Sequence, residues 1–294
     1  MILNRTGNAR PRGGNKYMRI TVLIENSACP NEKLGLVAEH GLSLYVESEG
    51  RRLVVDSGAS DAVWSNAAKL GIDAATARGL AISHGHYDHT GGALRFASLN
   101  PQAPIWMRRT ALGDFWHVEP GNDHYIGLDR ALTSVPSLRL LDGDATLMPG
   151  VRAFTNVSAR RPRPRGNAEL MVRTPDGALT PDTFDHEQCL VVEESGRRIL
   201  ISGCAHNGIL NILDRFRELF GGAPDVVVSG FHMKRKDGYT AEDESEIAAT
   251  GEELLATGAA FYTGHCTGDR PCAILKDVMG DRLTRLHTGL VVEL

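Results

Sequence analysis

The chain of 294 residues has little cysteine, and none of it lies in the arrangements that hold small proteins together. The five cysteines are an odd number, and no two of them have the C-x-x-C spacing. These features argue against a disulfide framework and against a zinc ribbon. They favour a reducing compartment, and we expect the protein to be cytoplasmic.

Long apolar runs and a large excess of charge of one sign are also missing. No stretch of about 18 apolar residues occurs, so no membrane span is expected. Residues 1–18 are basic and polar without the apolar core of a secretory signal, and we expect a disordered leader there. The formal net charge of -4 gives no global electrostatic reason to bind nucleic acid or an anionic membrane.

Short β-branched runs bounded by Gly, Asp or Ser alternate with helical patterns along the chain. The run 197–202 predicts a strand, and the apolar spacing of 208–222 predicts a helix. A second helix is predicted over 240–258, where Thr240 followed by Asp243 resembles a capping box. Interleaved strands and helices predict an α/β fold. Because two strands precede the first helix, the sheet should be mixed.

Residues 110–185 have the least regular pattern, and we expect an insertion or cap there on a single domain that covers 19–294. Within it lies a proline-broken basic stretch, 160–167, which we call the arginine segment. Arg160 and Arg161 of this segment are candidates for contacts with an anionic substrate. A charged run is more often only solvated, which is the alternative.

Three histidines and an aspartate occur within six residues, in 84-HGHYDH-89. The flanking apolar runs place them on a loop that leaves the C-terminal end of a strand and enters a helix, where α/β folds commonly carry their chemistry. Imidazole and carboxylate groups on a tight loop can converge on a metal ion. Gly91 and Gly92 are expected to let the backbone turn sharply into the helix. The predicted metal ligands of this loop are His84, His86, Asp88 and His89.

The H-x-H-x-D-H string is the signature of the metallo-β-lactamase superfamily, and the sequence resembles one subgroup of it. The stretches 83–92, 201–213, 229–233 and 261–268 are similar to 7,8-dihydropterin-6-methyl-4-(β-D-ribofuranosyl)aminobenzene 5'-phosphate synthase-like proteins. The resemblance runs from about residue 19 to the C-terminus. It implies an αββα sandwich of mixed sheets with helices on the outer faces and a site at one edge between the sheets.

The resemblance further implies two metal sites that share the loop, each completed by a histidine from elsewhere in the chain. His206 and His265 each follow a predicted strand and so lie at the sheet edge that carries the loop. His206 is predicted to complete the first site, with the first two histidines of the loop. His265 is predicted to complete the second, with the aspartate and the last histidine. His186 is a rival for the third ligand of the first site.

One position departs from the superfamily pattern. Many members carry an aspartate that bridges the two ions after a strand, whereas here the strand 197–202 is followed by Gly203 and Cys204. A thiolate is a good zinc ligand, so Cys204 is a candidate metal or bridging ligand. Alternatively no bridging group exists, and whether one ion or two are bound stays open.

Two further residues are predicted to act around the ions. Asp56 ends a predicted strand where the superfamily has an aspartate, and we expect it to accept hydrogen bonds from histidine N–H groups. A helix N-cap role is the alternative. His232 follows another predicted strand and precedes three basic residues, so it is a candidate contact for a substrate phosphate or carboxylate.

These features predict an enzyme with two divalent ions, most simply zinc, with iron or manganese as alternatives. A bound ion lowers the pKa of its water to about 7. Metal-activated hydroxide would then attack a phosphorylated or otherwise anionic small molecule, with Asp88 as a catalytic residue. One alternative is a transferase that joins a dihydropterin pyrophosphate to an aminobenzene ribofuranosyl phosphate. Another is a non-catalytic, metal-stabilised binding protein. The substrate and the oligomeric state stay open.

Overall fold

The computed structural model describes residues 18–294. The disordered leader predicted for residues 1–18 lies outside the described residues except for Met18, which is buried. Within the described part, no helix has both the length and the apolar character that crossing a membrane requires.

Three sheets make up the β-structure. In spatial order, sheet 1 consists of β18 (Val291–Glu293), β1 (Arg19–Ile24), β2 (Ser43–Ser48), β3 (Arg51–Val55), β4 (Leu80–Ala81), β5 (Ile105–Arg108) and β8 (Leu138–Leu141). Sheet 2 consists of β17 (Leu283–Arg285), β16 (Ala260–Thr263), β15 (Val226–Ser229), β14 (Arg197–Ser202), β13 (Cys189–Glu194), β10 (Val151–Phe154) and β9 (Ala145–Met148). Sheet 3 consists of β12 (Leu179–Pro181), β11 (Leu170–Arg173), β6 (Phe115–His117) and β7 (His124–Tyr125).

Both large sheets are mixed, as predicted. In sheet 1, β1, β2 and β3 pair antiparallel, whereas β3, β4, β5 and β8 pair parallel. In sheet 2, the strands from β9 to β14 pair antiparallel, and those from β14 to β17 pair parallel. Because parallel strands end at the same edge of a sheet, the loops after β14, β15 and β16 lie side by side.

Helices cover the outer face of each large sheet. On sheet 1 they are α1 (Ala62–Lys69) and α3 (Ala93–Leu99), and on sheet 2 they are α4 (Ile209–Phe220), α5 (Ala241–Ala256) and α6 (Asp269–Met279), whereas the short helix α2 (Tyr87–Thr90) carries part of the histidine loop. Alternate residues of a strand face opposite sides, so Val54 packs with α1 and α3 while Val55 packs between the sheets. In sheet 2, Val191 likewise packs against the helices and Val192 packs between the sheets. The predicted αββα layering is therefore confirmed.

The two long helices begin and end where their terminal residues predict. Thr240 accepts a hydrogen bond from Asp243 N, and the Asp243 carboxylate accepts one from Thr240 N at 2.8 Å, which forms the capping box at the start of α5. Helix α4 ends at Gly221, whose φ of 71° is left-handed. Ile212, Leu213 and Phe216 of α4 are buried against sheet 2.

Residues 110–185, expected to be an irregular insertion, contain seven short strands. Three of them, β8, β9 and β10, extend the two large sheets, and the other four form sheet 3. Their short lengths and frequent turns give little periodicity, which explains why the pattern predicts no strands here. Sheet 3 has a small core of its own around Phe115, Leu170 and Phe184.

The two glycines after the histidine loop serve a purpose other than the one predicted. Gly91 and Gly92 have φ values of -60° and -84°, which any residue adopts. Their backbone instead packs tightly against the segment after β3. A Cβ atom at Gly91 would lie 2.1 Å from the Ala59 carbonyl oxygen, and one at Gly92 would lie 2.6 Å from that of Ser57. The backbone does turn between α2 and α3 here, but in a conformation open to any residue, so close packing is the reason for glycine.

Gly91→Ala should lower the free energy of unfolding by about 3 kcal/mol, because the added methyl group forces the loop away from the Ala59 backbone. Urea unfolding measures this difference. Gly143→Ala is the control, since its Cβ would meet nothing within 4 Å, and the change there should stay within about 0.5 kcal/mol. Equal effects of the two substitutions would contradict the packing account.

Candidate metal centre

Most of the residues predicted to carry chemistry lie together where strands of both large sheets end. The loop after β4 brings its three histidines and Asp88 to this edge, partly on the short helix α2. The other members are Cys204 and His206 after β14, His232 after β15 and His265 after β16. All of these side chains are buried except that of His232, which is half-buried.

The first cluster consists of His84, His86 and His206, whose ring nitrogens lie within 4.8 Å of one another. The Nε2 atoms of His84 and His206 are 3.3 Å apart. His86 Nε2 is buried without a hydrogen-bond partner among the described residues. An unpaired polar atom in a buried site is costly, so this cluster is suited to binding a group that would satisfy it.

Hydrogen bonds fix which ring nitrogens of the first cluster carry lone pairs. The Ser83 hydroxyl donates to Asp56, so it accepts from His84 Nδ1 at 2.8 Å. His206 Nδ1 donates to Asn167 Oδ1 at 3.0 Å. The two facing Nε2 atoms are therefore both bare. Burial and neighbouring imidazoles hold the pKa values of His84 and His206 well below normal, and burial lowers that of His86 to about 3. Neutral imidazoles that face each other in this way suit a divalent metal ion.

The second cluster consists of Asp88, His89, His265 and Cys204. His89 Nε2 lies 3.2 Å from His265 Nε2 and 3.1 Å from the Cys204 sulfur. Asp88 Oδ2 lies 3.2 Å from His265 Nε2 and 3.7 Å from His89 Nε2. His265 Nδ1 donates to Asn26 Oδ1 at 2.7 Å, which directs its other nitrogen into the cluster.

Two buried carboxylates flank His89. Asp56 Oδ2 accepts from His89 Nδ1 at 2.7 Å, the kind of contact predicted for Asp56. Burial alone would lower the pKa of His89, but Asp56 and Asp88 raise it to about 9. Burial alone would raise the pKa of Asp88, but His89, His265 and His40 hold it well below its usual range. A buried site with this much negative charge attracts a cation.

Cys204 lies between the two clusters. Its sulfur belongs to one group of close donors with His84 and His89, and to another with His265 and Cys266. Burial and the nearby Cys266 thiol raise the pKa of Cys204 well above its ordinary value, and a metal ion would reverse that preference. The position is compatible with the candidate role of Cys204 as a metal or bridging ligand, which stays a prediction.

Buried glutamates hold the backbones of His206, after β14, and His265, after β16. The N–H of His206 donates to Glu187 Oε1 at 2.7 Å, and the N–H of His265 donates to Glu25 Oε1. Ala205, next to His206, has a left-handed backbone with φ of 46°, and His265 itself has φ of 50°. The carboxylates stabilise these strained turns and so fix the direction of both imidazoles.

Asn167→Ala should weaken metal binding at the first cluster by about 10–100-fold, because His206 loses the acceptor that fixes its tautomer. Competition with a chromophoric chelator measures the affinity. Asn122→Ala is the control, since its side chain bonds only Glu119 on the surface of sheet 3. Identical affinities in the two variants would show that Asn167 does not position the ligand.

His186 lies close to the first cluster, but its ring has other partners. Its Nδ1 accepts a hydrogen bond from Gly85 N at 3.1 Å, and its Nε2 lies 3.0 Å from Asp182 Oδ2. Because both nitrogens are engaged, the geometry favours His206 over His186 as the third ligand. His186 instead supports the backbone of the histidine loop.

His40 is a member of the site that the sequence does not reveal. It lies on the loop between β1 and β2, half exposed, with Nε2 3.3 Å from Asp88 Oδ2. Asn26 Nδ2 donates to its other nitrogen at 3.1 Å. His40 stands in 39-EHG-41, outside any motif, so only the fold brings it to the second cluster.

The three residues predicted to contact the substrate do not all lie together. The His232 ring lies 4.2 Å from that of His206, and its Nδ1 is buried without a partner among the described residues. Arg160 forms an ion pair with Glu218 at 2.6 Å. Arg161 pairs with Asp214 and with Glu253, on α4 and α5. Both guanidinium groups are therefore engaged along the outer helices.

Comparison with known proteins agrees with this architecture. A protein of 24% identity, over 94% of this chain and 96% of its own length, is the 7,8-dihydropterin-6-methyl-4-(beta-D-ribofuranosyl)-aminobenzene-5'-phosphate synthase of Methanocaldococcus jannaschii. A crystal structure of a metal-dependent hydrolase of the beta-lactamase superfamily, Tm1679, has 30% identity and a TM-score of 0.78, with 94% of this chain and 99% of that one covered. Zn²⁺-bound PqqB from Methylobacterium extorquens shares the fold, with 14% identity, a TM-score of 0.53 and coverage of 94% and 100%.

The family model of the metallo-beta-lactamase superfamily matches residues 37–236. This span contains the histidine loop, Cys204, His206 and His232, and the fold around it has the αββα layers. The chain thus belongs to the metallo-beta-lactamase superfamily.

Proposed function

We propose that this protein is a metal-dependent hydrolase that acts on a phosphorylated or otherwise anionic small molecule. The proposal depends mainly on one observation, the two pairs of imidazoles whose Nε2 atoms face each other at 3.3 Å and 3.2 Å. In the first pair both nitrogens are bare and repel one another unless a cation lies between them, and in the second pair the carboxylates beside His89 favour a cation. An ion-binding role explains the arrangement better than a structural one.

We propose two ions per chain, with zinc as the first choice because the donors are nitrogen, oxygen and sulfur. The first ion would be held by His84, His86 and His206, and the second by the four residues of the second cluster. Ions of this kind supply Lewis acidity and a water of lowered pKa. The free thiols are compatible with the predicted cytoplasmic location, which stays a proposal.

The chain's own residues would orient the substrate around this centre. Asp88, held ionised by its imidazole neighbours, can orient a nucleophile beside the second cluster. The His232 ring lies 4.2 Å from that of His206, beside the first cluster, and is a candidate contact for a substrate oxygen. Lys234 is exposed, has no ion-pair partner among the described residues, and follows His232 closely.

The position of Lys234 favours an anionic substrate. Its backbone N–H donates to the Cys266 carbonyl, one residue from His265. The pKa of His40 is lowered mainly by partial burial, against the opposing effect of Asp88. The positive charges of His265 and Lys234 lower it further, so Lys234 acts on His40. The ammonium group is therefore close enough to the second cluster to attract a phosphate or carboxylate that binds there.

Lys234→Ala should raise KM for an anionic substrate about tenfold with little change in kcat, because the lysine attracts the substrate without touching the reacting atoms. Steady-state kinetics at low ionic strength measures both constants. Lys236→Ala is the matched control, since its ammonium pairs with Glu119 of the cap and should matter little. A tenfold fall in kcat at constant KM would argue against this role.

A substrate panel tests the proposed function. The zinc-, manganese- and iron-loaded protein is offered phosphomonoesters, phosphodiesters, thioesters and lactones of matched size. We expect hydrolysis of at least one phosphorylated compound, which requires the metal and disappears with a chelator. Hydrolysis confined to neutral lactones or thioesters would contradict the anionic substrate class.

A transferase is the second candidate, and the synthase of Methanocaldococcus jannaschii, similar over nearly the whole chain, is the observation that favours it. In that case a dihydropterin pyrophosphate and an aminobenzene ribofuranosyl phosphate would be joined with loss of pyrophosphate. Incubation with both compounds should then give a pterin-containing product detectable by mass spectrometry. Release of phosphate from one compound alone would favour the hydrolase.

A further inference from the structure

A cavity of about 460 Å³ lies beside the first cluster, between the arginine segment, the start of α4, one face of α5 and the loop after β15. Gly208 lines it two residues after His206, and Phe231 and Met233 line it on either side of His232 in the sequence. None of the predicted metal ligands faces it. The cavity is therefore a neighbour of the metal centre and separate from it.

The floor of the cavity is apolar. Ile209 and Leu210 come from the first turn of α4, Ile247 comes from α5, and Phe231 and Met233 come from the loop after β15. Small-molecule sites typically have volumes of about 300–1,000 Å³ and an apolar lining with a few polar groups. The cavity falls in this range, and its floor suits a flat or aromatic body.

Within residues 18–294, one of the arginines that line the cavity has no acidic partner. Three of its four arginines form ion pairs with its three acidic residues: Arg161 with Glu253, Arg165 with Asp243 and Glu246, and Arg235 with Asp243. Arg163 forms no ion pair among the described residues, and its Nε is buried without a hydrogen-bond partner there. Its guanidinium carbon lies 5.8 Å from the centre of the Phe184 ring. Among the described residues, Arg163 is the one arginine at the cavity whose charge no carboxylate balances, so the site favours an anionic group from outside the chain.

We propose that this cavity binds a small molecule that combines an aromatic body with one acidic group, and that Arg163 binds the acidic group. The apolar floor accounts for the body, and the single uncompensated arginine accounts for one negative charge. The site goes beyond the hydrolase proposal, because it uses no metal ligand and does not depend on the reaction.

Two fluorescent probes that differ by one sulfonate test the site in the full, metal-loaded chain. They are 8-anilinonaphthalene-1-sulfonate and its uncharged counterpart N-phenyl-1-naphthylamine. Arg163→Gln should weaken the sulfonate probe about tenfold and change the uncharged probe less than about twofold. Arg160→Gln is the control, because that arginine pairs with Glu218 and does not line the cavity, and it should leave both affinities unchanged.

Variants that fill the cavity with a larger side chain provide a second test. Thr250→Trp places an indole where α5 lines the cavity and should weaken both probes at least about tenfold, whereas Ser245→Trp on the same helix lies outside the cavity and should not. If Thr250→Trp does not fold, as judged by thermal unfolding, Ala249→Trp replaces it. Three results would each overturn the proposal. They are no binding of the sulfonate probe, equal losses of its affinity in Arg163→Gln and Arg160→Gln, and unchanged probe affinity when a tryptophan fills the cavity.

Discussion

Asp88→Asn should remove the ion of the second cluster and lower kcat on the best substrate at least about a thousandfold. The amide keeps the volume of the side chain but loses the negative charge that faces His265, His40 and His89. It also places N–H groups where an acceptor oxygen is needed. Loss of a metal ion removes several kcal/mol of transition-state stabilisation, and each 1.4 kcal/mol is about tenfold in rate.

Elemental analysis after dialysis and steady-state kinetics measure the two effects of this substitution. Asp142→Asn serves as the control, because its carboxylate pairs with Arg109 on the surface and both quantities should stay unchanged. Retention of full metal content and activity in Asp88→Asn would show that the carboxylate is neither a ligand nor a catalytic group.

His206→Ala should have a comparable effect at the first cluster. The substitution removes one of the two bare Nε2 atoms that face each other across 3.3 Å. Loss of a residue that only supports a ligand costs about 10–100-fold in affinity, so loss of the ligand itself should cost more, at least about a thousandfold. Titration of the metal-free protein with zinc measures this difference.

His186→Ala separates the two candidates for the third ligand. Its ring nitrogens already meet Gly85 N and Asp182, so the variant should keep its metal affinity within about tenfold. The opposite pattern, with His186→Ala losing the ion and His206→Ala keeping it, would reverse the assignment.

The sequence predicts the layers of this fold and most of the residues that meet at its edge. Strands such as β13 and β14 are short, β-branched and bounded by turns, and α4 and α5 have clear apolar spacing and end signals. The histidine loop is a local motif, and His206 and His265 follow strands whose ends must share an edge. Local pattern and strand direction therefore predict an α/β fold and place these residues at one edge, whereas the αββα layers and the metal role come from the resemblance to the superfamily.

Asp56 was predicted to orient a ligand, but Asn167 and Glu25 could not be, because each is distant in sequence from the atom it contacts. Asn167 reaches His206 across 39 residues, and Glu25 reaches His265 across 240. Asparagine and glutamate are common surface residues, and nothing in their neighbours indicates burial. The roles of His40 and Arg163 likewise could not be predicted. They depend on which charged residues the fold places beside them.

The reason for Gly91 was also beyond the sequence. A glycine after a loop suggests backbone freedom, whereas here the requirement is a contact with Ala59, 32 positions earlier in a different loop. Close approach of two backbones depends on how the segments pack, which local pattern does not contain.

Elemental analysis of the purified chain, incubated with zinc and freed of excess metal, tests the central claim most directly. If the imidazoles, the carboxylate and the thiol of the two clusters are ligands, about two ions should remain bound per chain. The value should fall to about one in His206→Ala and in Asp88→Asn. A folded protein that retains less than about a tenth of an ion per chain would contradict the account.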